Sequence, residues 1–258
     1  MIERFEMHPS SSVKHVIGIM SGKGGVGKSS ITALTGIALA RRGHRVGILD
    51  ADVTGPSMPK MFGIATAGAA AGEGDGIIPG VSQGLGIKVV SLNLLLDDEN
   101  LPVIWRGPML MGMIRQFWTE SNWGELDYII IDLPPGTSDV PLSVMQSVPL
   151  DGLLAVTSPQ RVAAMVVKKA VNMAGMMSKP VIGLVENMSY MECPDCGRRI
   201  DVFGPSTGQT QAAELRVDYI GAMPIDPRLA ALADAGRVEE YEHPLMAALA
   251  DAVEKATA

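Results

Sequence analysis

Three groups of residues in this chain have the types and spacing to do chemistry. The first is Gly22-Lys23-Gly24-Gly25-Val26-Gly27-Lys28-Ser29, followed by Ser30, which fits G-x-x-x-x-G-K-[ST]. Glycines let backbone N–H groups turn inward around phosphate oxygens. A helix opening at Lys28 adds the partial positive charge of its N-terminus. Lys28 is expected to reach the β- and γ-phosphates of a nucleoside triphosphate, and the Ser29 hydroxyl to ligate Mg2+. Lys23 is a second lysine that such a loop does not require.

The second group is acidic. Asp50 and Asp52 stand at the end of the apolar run Arg45–Asp50, and Asp132 ends Asp127–Asp132 (DYIIID). Hard carboxylate oxygens suit Mg2+, usually through waters. Asp132 is expected to hold Mg2+ through water, Asp50 to support that shell and Asp52 to position the attacking water. Carboxylates at strand ends also serve as plain turn and capping residues. Gly136, in LPPGTSD, is expected to offer its N–H to the γ-phosphate. Asn187 follows the run Pro180–Glu186. A guanine site would show N-K-x-D there, whereas this chain has Asn187-Met188-Ser189-Tyr190. The expected nucleotide is therefore ATP, with Asn187 at the adenine edge and Pro224 packed on the ring.

The third group is Cys193-Pro194-Asp195-Cys196-Gly197. One short turn of this kind offers two thiolates to one metal, with backbone N–H groups directed at the sulfurs. A dithiol redox pair would sit at a helix N-terminus after a strand. These cysteines lie instead in a Gly- and Pro-bearing segment, which favours a metal or cluster. Zinc or an all-thiolate iron–sulfur cluster needs four ligands. The chain has only two cysteines, and its four histidines (His8, His15, His44 and His243) are scattered. A symmetric homodimer in which each subunit supplies two thiolates completes the set.

Elements of two periodicities must position these groups. Runs at His15–Met20, Arg45–Asp50, Ile87–Leu92, Asp127–Asp132, Gly152–Thr157, Pro180–Glu186 and Asp218–Ala222 read as strands. Lys28–Arg41, Met109–Ser121 and Pro244–Lys255 read as helices. A further helix is expected after Ser158, with Ser158 as N-cap, Pro159 at its first position and an inner face at Val162, Val166, Val167, Ala170, Met173 and Ala174. Strand–helix alternation with continuously apolar strands predicts an α/β fold of three layers, a mostly parallel central sheet with helices on both faces. Ligands then bind along the edge formed by the strand C-termini. The 258 residues, 47% apolar and 19% charged, suit a single domain. Within it, residues 1–13 form a tail, 62–86 a surface excursion and 192–209 an insertion carrying the cysteines. The net charge of −7 argues against a nucleic-acid partner. No apolar run is long enough to cross a bilayer, and residues 1–15 lack the pattern of a secretory signal. The expected location is cytoplasmic, with no membrane partner.

Five stretches together resemble the Mrp (ApbC-like) family of iron–sulfur cluster carrier ATPases. They are SGKGGVGKS (Ser21–Ser29), DADVTGPS (Asp50–Ser57), WRGP (Trp105–Pro108), WGELDYIIIDLPPGTSD (Trp123–Asp139) and VENMSYMECPDCG (Val185–Gly197). The resemblance covers about Lys14 to Pro227. It implies a SIMIBI-class P-loop NTPase with a deviant Walker A motif, slow ATPase activity, and a [4Fe–4S] cluster bridging two subunits and delivered to apo-proteins. It also implies that Lys23 reaches across the dimer to the partner's nucleotide. FGPSTGQT at Phe203–Thr210 departs from the more glycine-rich stretch of that family. Two other readings share the loop. A MinD/ParA-like positioning ATPase would be expected to end in a basic amphipathic helix or to carry a basic surface, whereas this chain ends EEYEHPLMAALADAVEKATA. A zinc-bridged regulatory ATPase would use the same thiolates.

Overall fold

The computed structural model describes residues 5–52, 57–65, 71–72, 76–94 and 107–258. Parts of the N-terminal tail, of DADVTGPS, of WRGP and of the 62–86 segment lie outside the described residues. The chain runs β1 (Ser12–Ser21), α1 (Lys28–Arg41), β2 (Val46–Asp50), α2 (Met58–Met61), β3 (Ala71–Gly72), β4 (Gly76–Ile77), β5 (Gly80–Val81), β6 (Lys88–Val90) and α3 (Gly107–Thr119). It continues through β7 (Glu125–Asp132), α4 (Asp139–Ser147), β8 (Gly152–Thr157), α5 (Arg161–Met176), β9 (Val181–Glu186), β10 (Met191–Glu192) and β11 (Arg199–Ile200). The last elements are α6 (Gly208–Leu215), β12 (Tyr219–Ala222), α7 (Pro227–Asp234) and α8 (Leu245–Thr257).

Eight strands form one sheet in the order β12-β9-β8-β1-β7-β2-β6-β5. Every neighbouring pair is parallel except β5 with β6. Strand residues alternate between two cores, which is why these strands are apolar throughout. Ile17 and Ile19 of β1 and Ile130 of β7 face one core, with Leu34 of α1 and Leu249 of α8. Val16, Met20, Ile129 and Ile131 face the other, with Phe117 and Trp118 of α3, Val144 of α4 and Ala170 of α5. The expected three layers are therefore present. The β1–β7 register sets Ile19 beside Asp132, and the β2–β7 register sets Asp50 beside Asp132. Parallel pairing thus brings the phosphate loop and the acids to one edge.

Three local expectations are corrected. The helix after β8 begins at Arg161 with Gln160 as its N-cap, while Ser158 is buried at the strand end and does not cap it. The inner face of α5 is Ala163, Val167, Ala170 and Ala174, and Val162 is exposed. The phosphate loop lies directly against the α5 backbone: a Cβ on Gly22 would stand 2.2 Å from the Val166 carbonyl carbon. Finally, the 62–86 segment is not purely a surface excursion. β5 joins the sheet as its antiparallel edge, and Ile77 is buried.

Candidate functional site

The loop between β1 and α1 is held in a shape that only glycine permits at several points. Gly25 and Gly27 have φ of 79° and 77°, in the left-handed region. A Cβ on Gly27 would lie 2.0 Å from Asn187 Nδ2, so the loop and Asn187 fit only with glycine there. No side chain caps α1. The N–H groups of its first turn therefore have no side-chain acceptor and face the loop.

Lys28 is buried, with Nζ 2.7 Å from Asp132 Oδ1 and 3.6 Å from Asp52 Oδ2. Despite these ion pairs, Nζ finds no well-aligned hydrogen-bond acceptor. A buried ammonium in that state fits an incoming phosphate oxygen. Ser29 Oγ donates to Asp132 Oδ2 at 2.6 Å, and Thr32 Oγ1 donates to Asp132 Oδ1 at 2.7 Å. A hydroxyl and a carboxylate in contact beneath a phosphate loop are the hard oxygen donors that Mg2+ takes. Sequence reasoning missed Thr32. Its signal is the spacing from Ser29, three residues along the same helix face.

Asp50 plays a different part from Asp132. Its carboxylate accepts from the N–H groups of Asp52 (3.3 Å), Ser57 (3.1 Å) and Met58 (3.3 Å) and from Ser91 Oγ (3.1 Å). Burial, and next the charge of Asp132, push its carboxyl up to about 7. It organises the start of α2 from a position beside Asp132 in the β2–β7 register. Asp52 is half-buried and faces Lys28.

The remaining predicted residues divide. Asn187 does reach the loop, but its Nδ2 donates to the Val26 carbonyl at 2.9 Å, so the amide is engaged by the protein. Gly136 has φ of 89°, and its N–H donates to the Ser21 carbonyl at 2.9 Å, which takes up the donor expected to serve a γ-phosphate. Lys23, Gly24 and Gly25 are exposed, and Lys23 Nζ lies 3.5 Å from Gln160 Oε1. Ser30 sits half-buried in the first turn of α1. Pro224 lines a cavity of about 520 Å3 with Tyr190, Ile225 and Cys193.

Cys193 and Cys196 lie in the turn of the antiparallel hairpin β10–β11, between β9 and α6. The turn is closed by Cys193 N–H to the Arg198 carbonyl (2.9 Å) and Gly197 N–H to the Cys193 carbonyl (2.8 Å). Gly197 has φ of 68°, which the turn requires. Both thiols are free, and Cys196 is exposed. The N–H groups of Asp195 and then Cys196 lower the Cys193 thiol below its ordinary range. Sequence reasoning also missed Glu186, a fully buried carboxylate at the end of β9. Its signal is a charge closing the apolar run PVIGLV.

A parallel sheet whose first strand feeds a glycine loop into a helix, with a buried lysine facing the acids of two neighbouring strands, defines a P-loop NTPase. The chain belongs to the iron-transfer branch of these proteins: the ParA-class family described as NUBPL iron-transfer P-loop NTPase matches residues 12–257. An iron–sulfur cluster carrier protein of Clostridium perfringens is 48% identical over 242 residues, covering 91% of this chain and 84% of that one. A nucleotide-binding protein of Archaeoglobus fulgidus, solved in complex with ADP, superposes with a TM-score of 0.77 at 44% identity, covering 90% of each chain. The cell-division ATPase MinD of Pyrococcus furiosus shares the fold alone, with a TM-score of 0.65 at 23% identity over 94% of this chain and 99% of that one. Among the described residues no helix is long and apolar enough to cross a membrane.

Proposed function

We propose that the protein is an ATP-hydrolysing carrier of an iron–sulfur cluster, which it holds between two copies and hands to apo-proteins. The observation that carries this reading is the cysteine hairpin. Two thiols, one of them lowered by backbone N–H groups, project from a turn on the same sheet edge as the phosphate loop. They are half of a four-ligand set, so a second copy supplies the rest. The iron-transfer family and the printed name of the Clostridium relative support a cluster as cargo. MinD has the same fold, so fold does not separate carrier from positioning ATPase. The hairpin does, because positioning has no use for paired thiols.

In this reading ATP lies over residues 22–30. N–H groups of the loop and of the first turn of α1 bind its phosphates, Lys28 neutralises the β- and γ-phosphates, and Asn187 borders the adenine. Ser29 and Asp132 hold Mg2+, which when bound supplies positive charge to the β- and γ-phosphates. Asp52, already beside Lys28, orients the attacking water. Lys23 is free of strong contacts within its own subunit and serves the partner's nucleotide. Gly136 must leave the Ser21 carbonyl to reach a γ-phosphate, which makes the segment after Asp132 the part that registers hydrolysis. Pro224, on the wall of the cavity beside Cys193, borders the cargo more than the base.

The experiment is metal analysis and oligomeric mass of protein purified without oxygen, on wild type and Cys193→Ala. Iron with a broad visible absorbance in a dimer is expected, lost in the variant while ATP binding persists. Zinc in place of iron would assign the bridged regulatory reading, and a monomer holding a full metal centre would remove the shared site.

A further inference from the structure

Glu186 ends β9, is fully buried, and takes no part in binding phosphate or cargo in the reading above. Its Oε2 accepts from Ser189 Oγ at 2.6 Å and from Ser206 Oγ at 2.5 Å. Its Oε1 accepts from the Thr207 N–H at 2.8 Å and from Thr207 Oγ1 at 3.3 Å. Ser189 lies where the chain leaves β9 for the hairpin, and Ser206 and Thr207 lie where it returns to α6. One carboxylate therefore closes both ends of the segment that carries Cys193 and Cys196.

The clasp is tied to the phosphate loop from the other side. Asn187, the next residue, holds the Val26 carbonyl, and its own N–H donates to the Thr157 carbonyl at the end of β8. Gln211 joins the same set: it donates from Nε2 to Thr207 Oγ1 at 2.6 Å and accepts from Thr157 Oγ1 at 3.3 Å. Gly208 lets α6 approach, since a Cβ there would stand 2.9 Å from Glu186 Cβ. A shift of the Val26 carbonyl moves Asn187, one peptide unit from Glu186. A buried carboxylate cannot shed its donors without leaving charge unsolvated, so its four donors move with it.

We propose that Glu186 is a positioning residue that transmits nucleotide-dependent movement of the phosphate loop to the cysteine hairpin, through Asn187 on one side and Ser189, Ser206 and Thr207 on the other. The proposal rests on the nucleotide site of the carrier reading, and not on the cargo.

The test is the rate of alkylation of Cys193 and Cys196 by iodoacetamide in metal-free protein, with and without ADP or a non-hydrolysable ATP analogue. Wild type, Glu186→Gln and Ser206→Ala are compared, with nucleotide Kd and Tm measured on each. Nucleotide is expected to change the wild-type rate by about fivefold or more, the lower range of ordinary site–site coupling. In the variants that ratio falls toward one while nucleotide still binds. Ser206→Ala removes one donor of four, so it decides the matter if Glu186→Gln does not fold. A mere brace would change Tm and both rates together and leave the ratio as in wild type, which overturns the proposal. So does a wild-type rate that ignores bound nucleotide. Failure of wild type to bind nucleotide would instead overturn the nucleotide site, and this proposal with it.

Discussion

The phosphate-loop site and the cysteine hairpin lie off the same edge of the sheet and are built in opposite ways. At the loop, Lys28 and Asp132 are buried and ion-paired, Ser29 and Thr32 hydrogen-bond the same carboxylate, and Gly22 admits no side chain. The hairpin is two strands of two residues each, with Cys196 exposed and Ile200, Val202 and Phe203 open to solvent near it. In the carrier reading the contrast follows from what each region is proposed to do. Stabilising charge on a transferring phosphoryl group needs donors fixed in advance in a dry site. Giving up a cargo needs ligands that a second protein can reach. In that reading a buried catalytic site and an accessible half-site share one edge, and Glu186 and Asn187 lie between them.

The largest effect that bears on this comparison is expected from Lys28→Ala. Loss of a charge aimed at the transition state should cut phosphate release by about 10²–10³-fold. Stability should also fall, by about 3–5 kcal/mol, because Asp132 is left buried without its cation. Retained turnover would take the catalytic role away from this end of the sheet.

A pair of glycine substitutions sharpens the contrast. Gly27→Ala strains a left-handed residue and drives a Cβ into the Asn187 amide. It should cost about 1–3 kcal/mol in denaturant unfolding and weaken nucleotide binding. Gly197→Ala meets nothing within 4 Å, so only the backbone cost of φ 68° remains. That is about 1–2 kcal/mol and confined to the hairpin, with nucleotide affinity unchanged. Equal losses of nucleotide affinity in the two variants would show the regions to be one unit.

The smallest effect is a matter of pH. In metal-free Cys196→Ser, the backbone N–H groups of residues 195 and 196 still favour the Cys193 thiolate. Its alkylation should therefore rise with pH through a midpoint below the ordinary thiol value of about 8.5. A midpoint at or above that value would mean that the turn does not prepare the sulfur for metal.

Much of this was open to reading along the chain. The phosphate loop is local: glycine spacing, a strand before and a helix after are neighbours in sequence, and backbone conformation follows from residue type. The cysteine turn is local for the same reason. Apolar runs with a single period reveal strands and helices, and their alternation reveals a parallel sheet. What could not be read there depends on approach between distant segments. Val162 has helical spacing with Val166 and Met173, yet α5 turns Ala163, Val167, Ala170 and Ala174 inward, where its backbone meets the phosphate loop at Gly22. Asp50 and Asp52 are alike in type and two residues apart; only the packing of Ser57, Met58 and Ser91 around one of them gives it the organising role. Asn187 meets Val26 from 161 positions away, and Glu186 meets Ser206 from 20. Residue type can announce that a buried carboxylate will need donors. Which donors reach it, and hence what it connects, is decided by how the sheet and its loops close in three dimensions.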